Sequence, residues 1–212
     1  MVPDLSGARL YAILDLGYVP EPKIEEVTRA LLEGGADVLQ LRAKGHSEER
    51  ILEFGKRTRP ICRDAGVPFI VNDHPSLAVE LDADGLHLGQ DDGSLEEARK
   101  RIGPDRLLGR STHSPTQAKQ ALEDGFDYIG FGPLFPTPTK KGRPGIGLEN
   151  VEGVEQSVGM KIPVFCIGGI KRANLEDVIS AGARRVVIVS DLLTASDVSS
   201  AVRQARLQIT GS

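Results

Sequence analysis

Cysteine is scarce in this sequence of 212 residues. The two cysteines, Cys62 and Cys166, stand far apart and form neither a disulfide framework nor the paired spacing of a metal-binding motif. Both lie within apolar stretches. We therefore expect two buried thiols with no part in the chemistry.

Long apolar segments are also missing. The N-terminal stretch MVPDLSGARLYAI lacks the basic start and the continuous apolar core of a secretory signal. No apolar run approaches the length that a membrane-spanning helix needs. From these absences we expect a soluble, cytoplasmic protein that does not interact with membranes.

An excess of positive charge is lacking as well. Lys and Arg number 26 against 30 Asp and Glu, which gives a formal net charge of −4. This balance argues against general nucleic-acid binding, but it leaves small anionic ligands open, because local charge decides there. No set of Ser, His and Asp, or of Cys and His, indicates a catalytic nucleophile.

What the sequence does contain is a series of short apolar runs rich in Val, Ile and Leu. Each run has the length and composition of a strand that is buried on both faces. The runs cover residues 9–16, 37–42, 68–73, 85–90, 107–112, 127–132, 163–169 and 185–190.

Segments with helical periodicity separate these runs. Ser94 and Glu97 have the spacing of a capping box, and Ser114 with Pro115 is typical of a helix start. Strands that alternate with helices indicate a parallel sheet, because parallel strands need crossover connections. Eight such pairs predict a single-domain (β/α)8 TIM barrel over residues 1–212, with 211–212 as a loose tail. An open doubly wound sheet is the alternative.

Polar residues follow nearly every predicted strand at its carboxyl end. In a barrel these ends share one face, where the active sites of this fold lie. The residues concerned are Gln40, Arg42 and Lys44 after strand 2, Asn72 and Asp73 after strand 3, Asp91 and Asp92 after strand 4, Ser111 and His113 after strand 5, Gly168 and Gly169 after strand 7, and Ser190 after strand 8.

The first three of these residues alternate along their strand. Gln40, Arg42 and Lys44 are spaced by two and so share one side of it. Three inward polar groups are costly unless they are paired or near solvent. We interpret them as a phosphate-binding set, because Arg and Lys supply suitable donors, and a structural ion-pair layer is the alternative.

Two acidic residues on neighbouring strand ends indicate a metal ion. Asp73 and Asp92 offer hard oxygen ligands, and Mg²⁺ is commonly held by one or two carboxylates while phosphate and water complete its shell. Asp73 could instead cap the helix that follows it, and Asp91 could replace Asp92. Of the histidines, we interpret His87 as a satisfied core group, while the direction of His113 stays open.

The order of these strand ends resembles the thiamin phosphate synthase family. The matching stretches are LQLRAK, FIVND, DGLHLGQDD, STHS, GPLFPTPTKK, IPVFCIGGI and the serine of VIVSD, and together they span nearly the whole chain. The resemblance implies a transferase of thiamin biosynthesis. It would join 4-amino-5-hydroxymethyl-2-methylpyrimidine diphosphate to 4-methyl-5-(2-hydroxyethyl)thiazole phosphate and release pyrophosphate.

The resemblance also implies roles for individual residues. Asp73 and Asp92 would hold Mg²⁺, and Arg42, Lys44, Ser111 and Lys140 would be catalytic. The residues that would bind the pyrimidine diphosphate are Gln40, Arg42, Lys44, Asn72, Ser111 and Lys140, and those that would bind the thiazole phosphate are Thr137, Thr139, Gly169 and Ser190.

The stretch GPLFPTPTKKGRPG, residues 132–145, combines prolines with hydroxyl and cationic side chains. Together with the resemblance, this composition predicts a mobile flap that carries Thr137, Thr139 and Lys140 over the phosphates. A solvated basic loop is the alternative. One residue departs from the family pattern: Asp191 stands where a small residue is common, and its carboxylate would repel a phosphate unless it points away.

Two other functions stay open. The related thiazole tautomerase shares the stretch GRSTHS and the KKG of residues 140–142, but it needs a proton carrier more than Mg²⁺ ligands. A non-catalytic protein that binds thiazole phosphate or thiamin phosphate would not require both aspartates. Because Asp73 and Asp92 are both present, we favour the synthase. The sequence is compatible with a homo-oligomer and does not give its size.

Overall fold

The computed structural model describes residues 2–137 and 144–211. Its strands all run parallel and close into a barrel in chain order, which confirms the predicted fold and excludes the open sheet. The strands are β1 (Leu10–Asp15), β2 (Val38–Arg42), β3 (Phe69–Asn72), β4 (Gly85–Leu88), β5 (Leu107–Thr112), β6 (Tyr128–Phe131), β7 (Val164–Cys166) and β8 (Val186–Ile188).

Helices cover the outside of the barrel. The helices are α1 (Ile24–Glu33), α2 (Glu48–Asp64), α3 (Pro75–Glu80), α4 (Leu95–Ile102), α5 (Pro115–Asp124), α6 (Val151–Val154), α7 (Leu175–Ser180), α8 (Ser190–Leu193) and α9 (Val198–Thr210). A π-helical turn, Glu155–Gly159, extends α6. Within the described ranges, no helix combines the length and the apolar character that crossing a membrane requires.

Local sequence explains the starts of several helices. Ser94 and Glu97 form the predicted capping box on α4, in which each side chain accepts a hydrogen bond from the other residue's backbone N–H. Ser114 caps α5, and Pro115 occupies its first turn. These local signals therefore position the crossovers that bring the strands side by side.

The apolar core has two layers. One lies between the strands and the helices and contains both cysteines, which are buried and unbridged as predicted. Burial raises the pKa of the Cys62 thiol to about 12, so it stays protonated at neutral pH. The other layer fills the barrel interior, where the ring of Phe165 packs edge-on against those of Tyr11 and Tyr128.

Three aspartates at the amino end of the barrel repeat one arrangement. Asp37, Asp84 and Asp127 each precede an even-numbered strand and accept a backbone N–H from the strand before it. Each also pairs with an arginine: Asp37 with Arg206, Asp84 with Arg59 and Asp127 with Arg99. Ion pairs therefore cover the amino end of the barrel, and the carboxyl end is left for ligands.

Candidate active site

One cavity at the carboxyl ends of the strands collects the predicted site. Its lining contains most of the residues chosen from the sequence, which lie on seven different strands or the loops after them. Those that line it are Gln40, Arg42, Lys44, Asn72, Asp73, Asp92, Ser111, Thr137, Gly169 and Ser190. The remaining two, Thr139 and Lys140, lie outside the described residues.

The structure adds residues that the sequence did not single out. Asp15 at the end of β1 lines the cavity, as do the aromatic residues Tyr11 and Tyr128 from the barrel interior. Asp15 is a polar residue at the end of an apolar strand, like the residues chosen on the other strands, so the same criterion could have identified it from the sequence. The two tyrosines gave no such signal, because they resemble ordinary core residues.

Arg42 is held by Asp15. Oδ2 of Asp15 lies 2.6 Å from Nη1 of the arginine, and Oδ1 accepts the backbone N–H of Gly17 at 2.9 Å. Asp15 is only 2% exposed, and the Arg42 side chain is largely buried. A buried carboxylate with both oxygens bonded is a rigid support, so the guanidinium group has a defined direction.

Lys44 and the two proposed metal ligands form a second group. Nζ of Lys44 lies 3.0 Å from Oδ2 of Asp73, while Oδ2 of Asp92 accepts the backbone N–H of Gly89 at 2.6 Å. Burial raises the pKa of the Asp73 carboxyl, Lys44 partly offsets this, and the nearby Asp92 carboxylate raises it further. The two carboxylates are thus close enough to repel each other.

This repulsion bears on the predicted metal site. A divalent cation between the carboxylates would remove their repulsion, and hard oxygen ligands suit Mg²⁺. Across the part of the chain that the structure describes, no group of three or more His, Cys, Asp or Glu side chains is arranged to hold a metal. The donor set therefore fits an ion that takes its other ligands from water and phosphate.

The alternatives for these aspartates differ in where the structure places their side chains. Asp92 lines the cavity, whereas Asp91 is not part of its wall. Helix α3 has His74 at its N-cap, and the Asp73 side chain pairs with Lys44 rather than capping the helix. The backbone of Asp73 adopts a positive φ of 64°, which Asp tolerates better than most residues.

Polar side chains from five strands form one chain of hydrogen bonds along the wall of the cavity, whose open end we call the mouth. Nε2 of Gln40 donates to Tyr11 Oη at 2.9 Å, and that hydroxyl lies 3.2 Å from Tyr128 Oη. Tyr128 Oη lies 3.2 Å from Nδ1 of His87, whose Nε2 lies 3.0 Å from Ser111 Oγ. Both ring nitrogens of His87 have partners, as expected of a satisfied histidine, but the residue is only half-buried and lines the cavity rather than the core.

The far side of the mouth is built from backbone. Gly168 and Gly169 adopt φ values of +99° and +65°. A Cβ on Gly168 would lie 2.3 Å from the Cα of Pro133, so this close approach needs glycine. His113 points toward the same loop, since its Nδ1 is hydrogen-bonded to the carbonyl oxygen of Gly132.

Asp191 is neutralised by a neighbour. Its Oδ2 accepts the backbone N–H of Arg172 at 3.2 Å and the Nε–H of the same residue at 2.8 Å. The carboxylate that departs from the family pattern therefore carries a paired charge beside Ser190. Because Arg172 offsets its negative charge, Asp191 should repel a phosphate less than the sequence alone suggests.

The fold and the cavity together define a (β/α)8 barrel with cationic and acidic side chains around one cavity at the carboxyl ends of its strands. The family model described as thiamine monophosphate synthase matches residues 10–192. The chain belongs to this family.

Individual relatives agree with this assignment. The chain is 45% identical to the thiamine-phosphate synthase of Thermus thermophilus, over 96% of this chain and 98% of the relative. It is 42% identical to the thiamine-phosphate synthase of Shouchella clausii, over 91% and 92%. Among solved structures, it resembles the thiamine phosphate pyrophosphorylase from Pyrococcus furiosus, with a TM-score of 0.88 and 35% identity over 98% of each chain.

Proposed function

We propose that this protein joins 4-amino-5-hydroxymethyl-2-methylpyrimidine diphosphate to 4-methyl-5-(2-hydroxyethyl)thiazole phosphate, forming thiamin phosphate and pyrophosphate. The observation that carries this proposal is the meeting of Arg42, Asp73 and Asp92 around one mouth, in a member of the thiamine monophosphate synthase family. Lys140, to which the resemblance gives a role at the diphosphate, lies outside the described residues.

Arg42 and Lys44 have the chemistry to assist the departure of pyrophosphate. The bond between the pyrimidine methylene carbon and the diphosphate oxygen breaks, and its electron pair leaves with the oxygen. Cationic donors fixed near that oxygen stabilise the developing negative charge. Arg42 is well suited because Asp15 already fixes its direction.

Asp73 and Asp92 would hold Mg²⁺. When bound, this ion neutralises charge on the diphosphate. Without it, the two carboxylates would repel the substrate, and Lys44 pairs with only one of them. Lys44 would therefore face both the acidic pair and the diphosphate, which explains why a flexible cation suits this position.

The remaining task of the protein is to place the second substrate. The thiazole nitrogen attacks the methylene carbon, so the two ring systems must stack within reach of each other. Gly169, Ser190 and Thr137 lie on one side of the cavity and would receive the thiazole phosphate. The predicted flap, with Thr139 and Lys140, would complete this side and exclude water.

The acidic pair favours this reaction over the two alternatives. A tautomerase or a non-catalytic binder has no need for two facing carboxylates, which are costly to place together. We also propose that residues 1–212 form a single domain that acts in the cytoplasm on small phosphorylated substrates.

Magnesium-dependent release of pyrophosphate on mixing the two substrates tests the proposal. Only a synthase releases pyrophosphate in this assay. A tautomerase would instead convert a thiazole carboxylate phosphate without Mg²⁺, and a binder would show affinity without turnover. Either of these results, together with no pyrophosphate release, would contradict the proposed function.

A further inference from the structure

The loop between β4 and α4, residues 89–94, brings Asp92 to the wall of the cavity. Most of this loop is exposed. Oδ2 of Asp92 accepts the backbone N–H of Gly89 at 2.6 Å, and Gly93 adopts a positive φ of 94°. These features shape a tight turn, but they do not attach it to the barrel. An exposed loop needs anchors outside itself if Asp92 is to keep one position.

Arg110 on the neighbouring strand β5 anchors this loop. Its partner in the strand register is Leu88, the last residue of β4, so the arginine stands beside the start of the loop. Its Nη2 donates to the carbonyl oxygen of Gln90 at 2.9 Å, and its Nη1 donates to the carbonyl oxygen of Gly93 at 2.8 Å. One guanidinium group therefore binds the residues on both sides of the Asp91–Asp92 pair.

The guanidinium group of Arg110 is itself held in place. It lies over the ring of Phe126, 5.4 Å from the ring centroid, which is a cation–π contact. Among the residues that the structure describes, Arg110 forms no ion pair and donates only to the two loop carbonyls. A planar group with several N–H donors at fixed angles can bind two carbonyls at once, whereas a lysine cannot reproduce this geometry.

We propose that Arg110 is a positioning residue for the divalent ion, because its two hydrogen bonds to the loop hold Asp92 at the cavity wall together with Asp73. The proposal rests on the proposed function for the presence of the ion. Arg110 is not part of the cavity wall, so it acts through Asp92 and not on the substrate. Without this anchor, one of the two carboxylate ligands would have to be ordered when the ion binds, which weakens binding.

Binding of Mn²⁺ alone tests the proposal without turnover, since Mn²⁺ suits the same carboxylate ligands as Mg²⁺. The electron paramagnetic resonance signal of free Mn²⁺ gives the dissociation constant. Arg110→Met keeps an apolar stem against Phe126 and removes every N–H donor, so the dissociation constant should rise by about tenfold or more. Loss of a positive charge by itself would favour a cation, so weaker binding indicates lost positioning. An unchanged dissociation constant, or a wild-type protein that binds no Mn²⁺, would overturn the proposal.

Arg106 provides a matched control at the amino end of β5. Its guanidinium group also donates to two backbone carbonyls, that of Ala83 at 3.0 Å and that of Ile102 at 2.9 Å. Arg106→Met therefore removes comparable hydrogen bonds without touching the loop that carries Asp92. This variant should lose stability and keep the Mn²⁺ dissociation constant of the wild type. If it weakens Mn²⁺ binding as much as Arg110→Met does, a general loss of stability is responsible, and the proposal fails.

A double-mutant cycle shows whether Arg110 acts through Asp92. In an Asp92→Asn background, Arg110→Met should weaken Mn²⁺ binding by less than about twofold further, whereas in an Asp91→Asn background it should keep its full effect. Independent, multiplying effects of Arg110→Met and Asp92→Asn would overturn the proposal. Absence of pyrophosphate release, with the Mn²⁺ results as expected, would instead count against the proposed function and leave the role of Arg110 standing.

Discussion

Asp15 and Arg42 are direct partners in the register between β1 and β2, and Oδ2 of the aspartate lies 2.6 Å from Nη1 of the arginine. The pair lies at the end of the strands, where the barrel interior meets the cavity. A largely buried guanidinium group without a counter-charge would be costly. Asp15 therefore offsets the cost of burying the Arg42 charge and also fixes the direction of its guanidinium group.

Asp15→Asn should lower both stability and activity. The variant keeps the shape of the side chain but removes the negative charge that Asp15 places against Arg42, which should cost about 3 kcal/mol in the free energy of unfolding. We expect kcat/KM to fall by at least about tenfold, because Arg42 loses its defined direction. Urea unfolding and steady-state kinetics measure the two effects. Asp82→Asn, which removes an exposed partner of Arg106, should cost less than about 0.5 kcal/mol and leave kinetics unchanged.

Substitution of the two aspartates of the proposed metal site should change the Mg²⁺ requirement, whereas substitution of the neighbouring Asp91 should not. Asp73→Asn and Asp92→Asn should each raise the Mg²⁺ concentration needed for half-maximal activity by about tenfold or more, because each removes a charged ligand. Asp91→Asn is the matched control, since Asp91 is adjacent but outside the cavity wall. An equal effect of Asp91→Asn on the Mg²⁺ titration would contradict our choice of Asp92.

Substitution of Arg172 should weaken the binding of the thiazole phosphate and leave that of the pyrimidine diphosphate unchanged. Arg172→Gln removes the positive charge that pairs with Asp191, so the negative charge of the Asp191 carboxylate should then repel a phosphate near Ser190. We expect KM for the thiazole phosphate to rise by about fivefold while KM for the pyrimidine diphosphate stays the same. Lys171→Gln removes an equal charge next door without releasing Asp191. If both variants raise this KM equally, the general loss of positive charge explains the effect.

Asp37 at the opposite end of the barrel should affect stability without affecting chemistry. Its Oδ2 accepts three hydrogen bonds, from the backbone N–H groups of Arg9 and Leu10 and from Arg206. Asp37→Asn weakens all three and should lower the free energy of unfolding by about 2 kcal/mol. Activity per folded molecule should not change, and a large fall in kcat at a temperature where the variant is fully folded would show that the two faces are coupled.

Glu155 should make stability depend on pH. Burial raises the pKa of this carboxyl above its ordinary value of 4.5, and the opposing effects of Arg184 and Arg185 are smaller. The folded protein thus holds this proton more tightly than the unfolded chain. The resulting stabilisation is present below about pH 4.5 and is lost as pH rises through the folded-state pKa.

Glu155→Gln removes this titration, so its stability relative to the wild type should increase between about pH 4 and pH 7. Urea unfolding at both pH values measures the change. Glu97→Gln should shift in the opposite direction, because hydrogen bonds from Ser94 hold the pKa of Glu97 below its usual range. If the two variants show the same pH trend, the assignment to burial is wrong.

The barrel and the meeting of its strand ends could be predicted from the sequence. Apolar runs, helix caps such as Ser94, and glycine turns act over a few residues, and parallel strands with crossovers leave few topologies. Once the barrel is predicted, Gln40, Arg42, Asp73 and Ser190 must share a face, because all strands point the same way.

The direction of each side chain within that face depended on the closed barrel. The pairing of Asp15 with Arg42 joins residues from different strands, and the choice of Asp92 over Asp91 turns on the path of one loop. The chain through Tyr11 and Tyr128 crosses the interior from β2 to β5. Such contacts form only once the strands have paired in register, since hydrogen bonds require distances and angles that residue types and local spacing do not specify.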